Sequence, residues 1–97
     1  MNVIWTVEAE ETFNQNINYL LKEWNGAVVI RFIDDTAKAI LSIEKNPALY
    51  PFISKKKKIR RCPVVKQVSF VYRADDSNIE LITFWNNYQN PKKLKLK

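Results

Sequence analysis

The chain changes its hydrophobic period once, and that change limits what it can fold into. From Phe13 to Ile43 apolar residues recur every three or four positions, the repeat of a helix with one buried face. From Ile59 to Trp85 they follow the two-residue repeat of strands. Val3, Ile4, Trp5 and Val7 form a β-prone opening, and Thr6 is placed to cap a helix whose first turn carries Glu8, Glu10 and Glu11. Phe13, Ile17, Leu20, Leu21 and Trp24 share one helical face, so the first helix is predicted over Glu8 to Trp24. Asn25-Gly26 supplies a turn, and Gly26, the only glycine, is expected in the left-handed conformation that often ends a helix. Val29, Phe32, Ile33, Thr36, Ala37, Ile40 and Ile43 then define a second helix, with Arg31, Asp34, Asp35, Lys38 and Glu44 mainly opposite. So short a link makes an antiparallel hairpin.

Asn46-Pro47 stops the second helix, because proline disfavours helical geometry in the residue before it. Pro51 is expected to keep the following segment irregular. Residues 59–65 read as a strand in which Pro63 costs one ladder bond. Val68, Phe70 and Tyr72 alternate with Ser69, Val71 and Arg73, and a polar turn at Asp75 to Asn78 leads into Ile79 to Trp85. Both faces of that last strand carry apolar groups, as a central strand requires, with one face expected to stay uncovered until a partner arrives. The prediction is one α+β domain over residues 1–97, ordered β-α-α-β-β-β, with the strand and helical hairpin packed on a twisted, mainly antiparallel sheet. Residues 86–97 read as a basic tail in which Leu94 and Leu96 alternate with lysines, expected to fray.

Composition removes several kinds of chemistry. With no histidine and one cysteine, Cys62, neither the usual zinc sites nor a histidine triad nor an internal disulfide can be assembled, and no cofactor is implied. No apolar run reaches the roughly 18 residues of a membrane span, so the chain reads as cytoplasmic. Charge is uneven: residues 1–46 carry a net −3, and residues 47–97 carry +9. A surface made by the second half therefore attracts polyanions or an acidic protein.

Lys55-Lys56-Lys57-Lys58-Ile59-Arg60-Arg61 concentrates this charge at the entry to a strand, and Arg73 adds to it. A solvated loop explains a lone lysine run, but cations continuing onto a sheet are costly unless an anion meets them. Phe70, Tyr72, Phe84, Trp85 and Tyr88 interleave with the bases, a pattern that also holds single-stranded nucleic acid. Phe70 and Tyr72 are more simply core residues, which leaves Trp85 and Tyr88 as stacking candidates. RNA cleavage without histidine is chemically open, with lysine or tyrosine moving a proton and arginine neutralising the phosphorane. Asp75-Asp76 is better explained as a turn than as a carboxylate pair, and Cys62 as a buried thiol than as a nucleophile.

Taken in order, the opening strand, the hairpin closing on Lys45-Asn46-Pro47 with Tyr50-Pro51 after it, Ile59-Arg60-Arg61, Val71-Tyr72-Arg73 and Phe84-Trp85-Asn86-Asn87-Tyr88-Gln89-Asn90-Pro91 resemble the RelE/ParE superfamily of toxins from type II toxin-antitoxin modules. The resemblance implies an acidic antitoxin that wraps the basic surface. It also implies one of two targets: ribosome-bound mRNA, cut by RelE-like members, or DNA gyrase, inhibited by ParE-like members. The nuclease pattern is poorly matched, with Ser69 where a central arginine would stand, Tyr88 where another would, and Leu94 in place of a late tyrosine. The ParE-like reading is therefore favoured, with a divergent nuclease using Lys58, Arg61, Arg73 and Tyr88 and a plain RNA-binding module as alternatives. Contacts to antitoxin or target are expected at Lys57, Arg60, Arg61, Arg73, Trp85 and Leu94. Self-association through the apolar hairpin is left open.

Overall fold

A computed structural model describes residues 1–89; Leu94, Leu96 and the rest of the expected tail lie outside the described residues. Seven elements follow one another: β1 (Asn2–Trp5), α1 (Val7–Glu23), α2 (Gly26–Lys45), β2 (Phe52–Ser54), β3 (Ile59–Val65), β4 (Val68–Ala74) and β5 (Asn78–Asn86). The strands form one sheet in the order β1-β5-β4-β3-β2, with β1 parallel to β5 and the other neighbours antiparallel. The expected α+β architecture is thus present, with one strand more than the alternation showed.

Thr6 caps α1 as expected: its Oγ1 accepts from the Ala9 N–H at 3.0 Å. The link to α2 is built differently. Asn25, not a left-handed glycine, makes the turn; its extended backbone and side-chain oxygen, which accepts from Val28 N–H at 3.0 Å, start α2 at once. Gly26 is the first helical residue and does not have a positive φ. A Cβ there would meet nothing within 4 Å, so neither backbone nor packing demands glycine.

The core lies between the helices and one face of the sheet. Ala9, Leu20, Phe32, Ile43, Cys62, Phe70, Tyr72, Ile79, Leu81 and Phe84 are withdrawn from solvent there. Phe84 is the hub, with ring centroids 5.4 Å from Trp5, 5.1 Å from Phe13, 5.9 Å from Phe32 and 5.4 Å from Phe70. On the opposite face Ile59, Val71 and Ile82 form a smaller cluster, also buried, so that face is not left bare as expected.

Strand β5 outruns β1, which pairs only with residues 78–81. Side chains satisfy the edge left over. Thr6 Oγ1 donates to the carbonyls of Leu81 (2.9 Å) and Ile82 (3.0 Å). Thr12 Oγ1 accepts from Phe84 N–H at 2.8 Å, and Asn16 Nδ2 donates to Phe84 O at 3.3 Å. A register shift between Val71 and Tyr72 leaves Ile82 as the extra residue of a bulge, which keeps both Leu81 and Phe84 in the core.

Candidate functional site

The basic segment is a hairpin. Phe52 pairs with Arg60 and Ser54 with Ile59, so residues expected to be irregular after Pro51 form β2, and Lys55 to Lys58 make the turn. Ser54 Oγ accepts from Lys57 N–H at 3.2 Å, and Lys58 N–H donates to Lys55 O at 3.2 Å. Lys58 closes this turn with φ of 58°, a left-handed conformation that disfavours a long side chain relative to glycine or asparagine.

Strand alternation sends Arg60 and Arg61 to opposite faces. Arg60 lies on the helix side, opposite Tyr72. Its guanidinium sits 3.7 Å from the centroid of the Phe52 ring and donates through Nη1 to Tyr50 O at 2.7 Å. Those contacts compensate a half-buried cation beside the core. Arg61 lies on the outer face, opposite Val71, and its Nη2 donates to Asn87 Oδ1 at 3.0 Å. The same oxygen accepts from Ser69 Oγ at 2.9 Å, and Asn87 Nδ2 donates to Lys66 O at 3.1 Å.

Arg73 shares the outer face with Arg61, two rungs along β4, and is held by Glu80 Oε1 at 3.3 Å and by Lys57 O, to which Nε donates at 3.0 Å. Lys58, Arg60 and Arg73 line an open cleft of about 630 Å³ together with Met1, Pro47, Asp75 and Asp76. Asp75 is committed locally: its Oδ1 accepts from the N–H groups of Ser77 (2.8 Å) and Asn78 (2.7 Å), which hold its carboxyl below the usual range. The turn reading of Asp75-Asp76 therefore describes the observed geometry of Asp75.

Tyr88 stands apart from these cations. It is 55% exposed and stacks on Trp24, at the end of α1, with centroids 6.5 Å apart. The register puts Trp85 opposite Ser69, four residues along β4 from Arg73, or about 13 Å at the usual strand rise. Tyr88 follows beyond that rung. Lys58 and Arg73 thus gather at one end of the sheet, Arg61 with Asn87 reaches toward the other, and Tyr88 joins neither group. Trp85 is half-buried on the outer face, whereas Phe70 and Tyr72 are core residues.

Sequence reasoning passed over Asn87, Ser69, Glu80 and Phe52. Asn87 was counted with the tail, yet β5 runs through Asn86 and Asn87 N–H donates to Gln67 O at 2.8 Å. Only its tertiary neighbours reveal its role.

Burial sets the protonation of the groups beneath the site. The Cys62 thiol is pushed up to about 11 by burial, despite a hydrogen bond with Tyr50 that opposes the shift, so it stays a thiol at neutral pH. Burial likewise raises the Tyr72 phenol to about 12, with the positive Arg60 working against it. Tyr72 Oη donates to Pro47 O at 2.8 Å and ties β4 to the loop after α2. Both folded values lie above the groups' ordinary values of 9.0 and 10.0. Their contribution to stability is therefore complete below pH 9 and is lost as pH rises through the folded values. Tyr72→Phe should flatten the decline above pH 10 and cost about 1 kcal/mol at neutral pH through the lost hydrogen bond. Urea midpoints measured from pH 8 to 11.5 check this; an unchanged alkaline slope would contradict it.

No family model matches the chain, and neither does any curated protein. Solved structures do. The chain is similar to a chain of the chromosomal ParDE TA system from P. aeruginosa, with TM-score 0.71 and 11% identity over 89% of this chain and 95% of that one. It is similar to the YoeB/ParE toxin from Agrobacterium tumefaciens, with TM-score 0.65 and 16% identity over 91% and 100% of the two chains. It is also similar to YoeB in a dimer from Staphylococcus aureus, with TM-score 0.64 and 17% identity over 91% and 98%. Two helices packed on a five-stranded mixed sheet are therefore a fold shared with these ParE- and YoeB-type toxins.

Proposed function

We propose that this chain is the toxin of a type II toxin-antitoxin pair, acting in the cytoplasm on DNA gyrase in the ParE manner and silenced by an acidic antitoxin. The observation that carries the reading is the cationic β2–β3 hairpin and its extension to Arg61 and Arg73 on the outer face. Lys58 supports it as well: a lysine kept in a left-handed turn position suggests that its charge, not its backbone preference, is what matters there. Acidic antitoxin segments would pass over Lys57, Arg61 and Arg73, with an apolar anchor on Trp85.

Gyrase is favoured over mRNA because the four nuclease candidates do not converge. General acid–base catalysis needs its groups within hydrogen-bonding reach of one scissile phosphate. Tyr88, stacked on Trp24, follows the Trp85–Ser69 rung, at the other end of β4 from Arg73. No catalytic residue is therefore assigned. Among the described residues no helix is long and apolar enough to cross a membrane, which is compatible with such a target.

Inducing the chain alone should arrest growth, and co-expression of its acidic partner should relieve the arrest. During the arrest plasmid supercoiling should change while primer extension on cellular mRNA finds no new ends. New ends with unchanged supercoiling would move the target to ribosome-bound mRNA. Full tolerance of the chain, with salt-sensitive RNA affinity, would reduce it to an RNA-binding module.

A further inference from the structure

Asn25-Gly26 is the only asparagine–glycine pair in the chain, and the fold gives Gly26 no structural task. What the glycine does change is the chemistry of the residue before it. Asn25 and Gly26 are both exposed. Gly26 opens α2, so its N–H is one of the helix's unpaired donors, and it makes no hydrogen bond among the described residues. Asn25 Oδ1 accepts from Val28 N–H at 3.0 Å, which draws electron density away from Cγ. An electrophilic side-chain carbon thus stands next to an unencumbered backbone nitrogen. Every other asparagine precedes a bulkier residue, or a proline, which has no N–H to lose.

We propose that Asn25 is a site of spontaneous modification, at which the α1–α2 link loses ammonia and is rebuilt as aspartate or isoaspartate. The Gly26 nitrogen gives its proton to hydroxide and bonds to Asn25 Cγ. The Cγ–Nδ2 bond breaks, and Nδ2 takes up a proton and leaves as ammonia. Water then opens the five-membered imide. Cleavage of the new N–Cγ bond leaves aspartate, whereas cleavage between that nitrogen and the Asn25 main-chain carbonyl carbon leaves isoaspartate, with an extra carbon in the backbone. Water enters and ammonia leaves, so no oxidant or reductant is needed.

The fold sets the pace. Ring closure needs Cβ and the Gly26 nitrogen eclipsed about the Cα–C bond, and the Asn25 ψ of 174° holds them staggered. The first turn of α2 must therefore open before the bond forms, which an exposed helix end does at little cost. The two products then diverge. Aspartate caps a helix as well as asparagine does and adds a favourable negative charge at the N-terminus. Isoaspartate moves the acceptor relative to Val28 N–H and lengthens a link that holds only Trp24 and Asn25 between the helices. None of this depends on the chain being a toxin.

Incubation of the purified chain at mildly alkaline pH, followed by peptide mapping with mass detection, should find the amide-to-acid change at Asn25 ahead of every other asparagine, in two chromatographic forms. The rate should rise with pH, and rise further in urea that unfolds the chain. Gly26→Ala should keep the fold and slow conversion several-fold, because the added Cβ crowds the closing ring but meets nothing in the fold. Asn25→Ser, which keeps a capping oxygen, should abolish conversion at this site. The isoaspartate form, separated by ion exchange, should melt about 5 °C below fresh protein, and Asn25→Asp should not. Conversion that begins at another asparagine, that urea fails to speed, or that runs as fast in Gly26→Ala would overturn the proposal. An isoaspartate form that melts with Asn25→Asp would do the same.

Discussion

Phe84→Ala should destabilise the fold by about 4 kcal/mol, a large share of the ~5–15 kcal/mol that holds a domain of this size together. Phe84 is 2% exposed and its ring touches four others, from β1, α1, α2 and β4. Truncation removes the one group that every layer of the core shares, and the neighbours are too large and too constrained by their own elements to collapse into the space. The cost combines lost transfer energy with an unfilled cavity. Urea unfolding should show a much lower midpoint with little change in slope. Phe84→Leu, which keeps most of the volume, should lose less than half as much. A loss below about 1 kcal/mol for the alanine variant would mean that the helices do not pack on β5 as described.

The second large effect separates two adjacent arginines. Arg61→Glu should weaken binding of the proposed acidic antitoxin about 100-fold or more, because it puts a carboxylate on the outer face beside Asn87, where the incoming carboxylate of that proposal would meet it. Arg60→Glu should act on the fold instead. It removes the bond to Tyr50 O, loses the contact over Phe52 and sets an unmatched negative charge next to the core, for roughly 2–3 kcal/mol of stability. Calorimetric titration with the antitoxin and thermal melts of each variant, taken together, check the split. Equal effects of the two substitutions on affinity, with equal stabilities, would show that strand alternation does not govern this surface.

Most of the framework was readable because it depends on local periodicity. The face of α1 is written in Phe13, Ile17 and Leu20, its cap in Thr6, and the pairing of β4 with β5 in Phe70, Tyr72, Leu81 and Phe84. What escaped depends on contacts between distant residues. Strand β2 has three residues and an irregular register, too short for alternation to show, and it is held by Arg60 lying over Phe52 rather than by its own pattern. Gly26 was misjudged because Asn25 can both end one helix link and cap the next helix, which removes the need for a left-handed residue. Arg60 and Arg61 read as one cationic patch in a line of letters; the pleat divides them. Asn87 reads as tail in the sequence; in the fold Ser69 and Arg61 converge on its side-chain oxygen.

Parallel pairing of β1 with β5 joins Asn2 to Asn78 and Trp5 to Leu81. β1 therefore leaves the ribosome well before the strand it pairs with. At synthesis rates of about 5–20 residues per second, that wait lasts on the order of 4–15 seconds. Until it ends, Thr6 has no strand to bond and the aromatic hub no centre, so the helical hairpin can form but the sheet cannot close. The toxicity proposed above, if it needs the finished sheet, would be withheld from the growing chain, and the proposed antitoxin would have that interval in which to arrive.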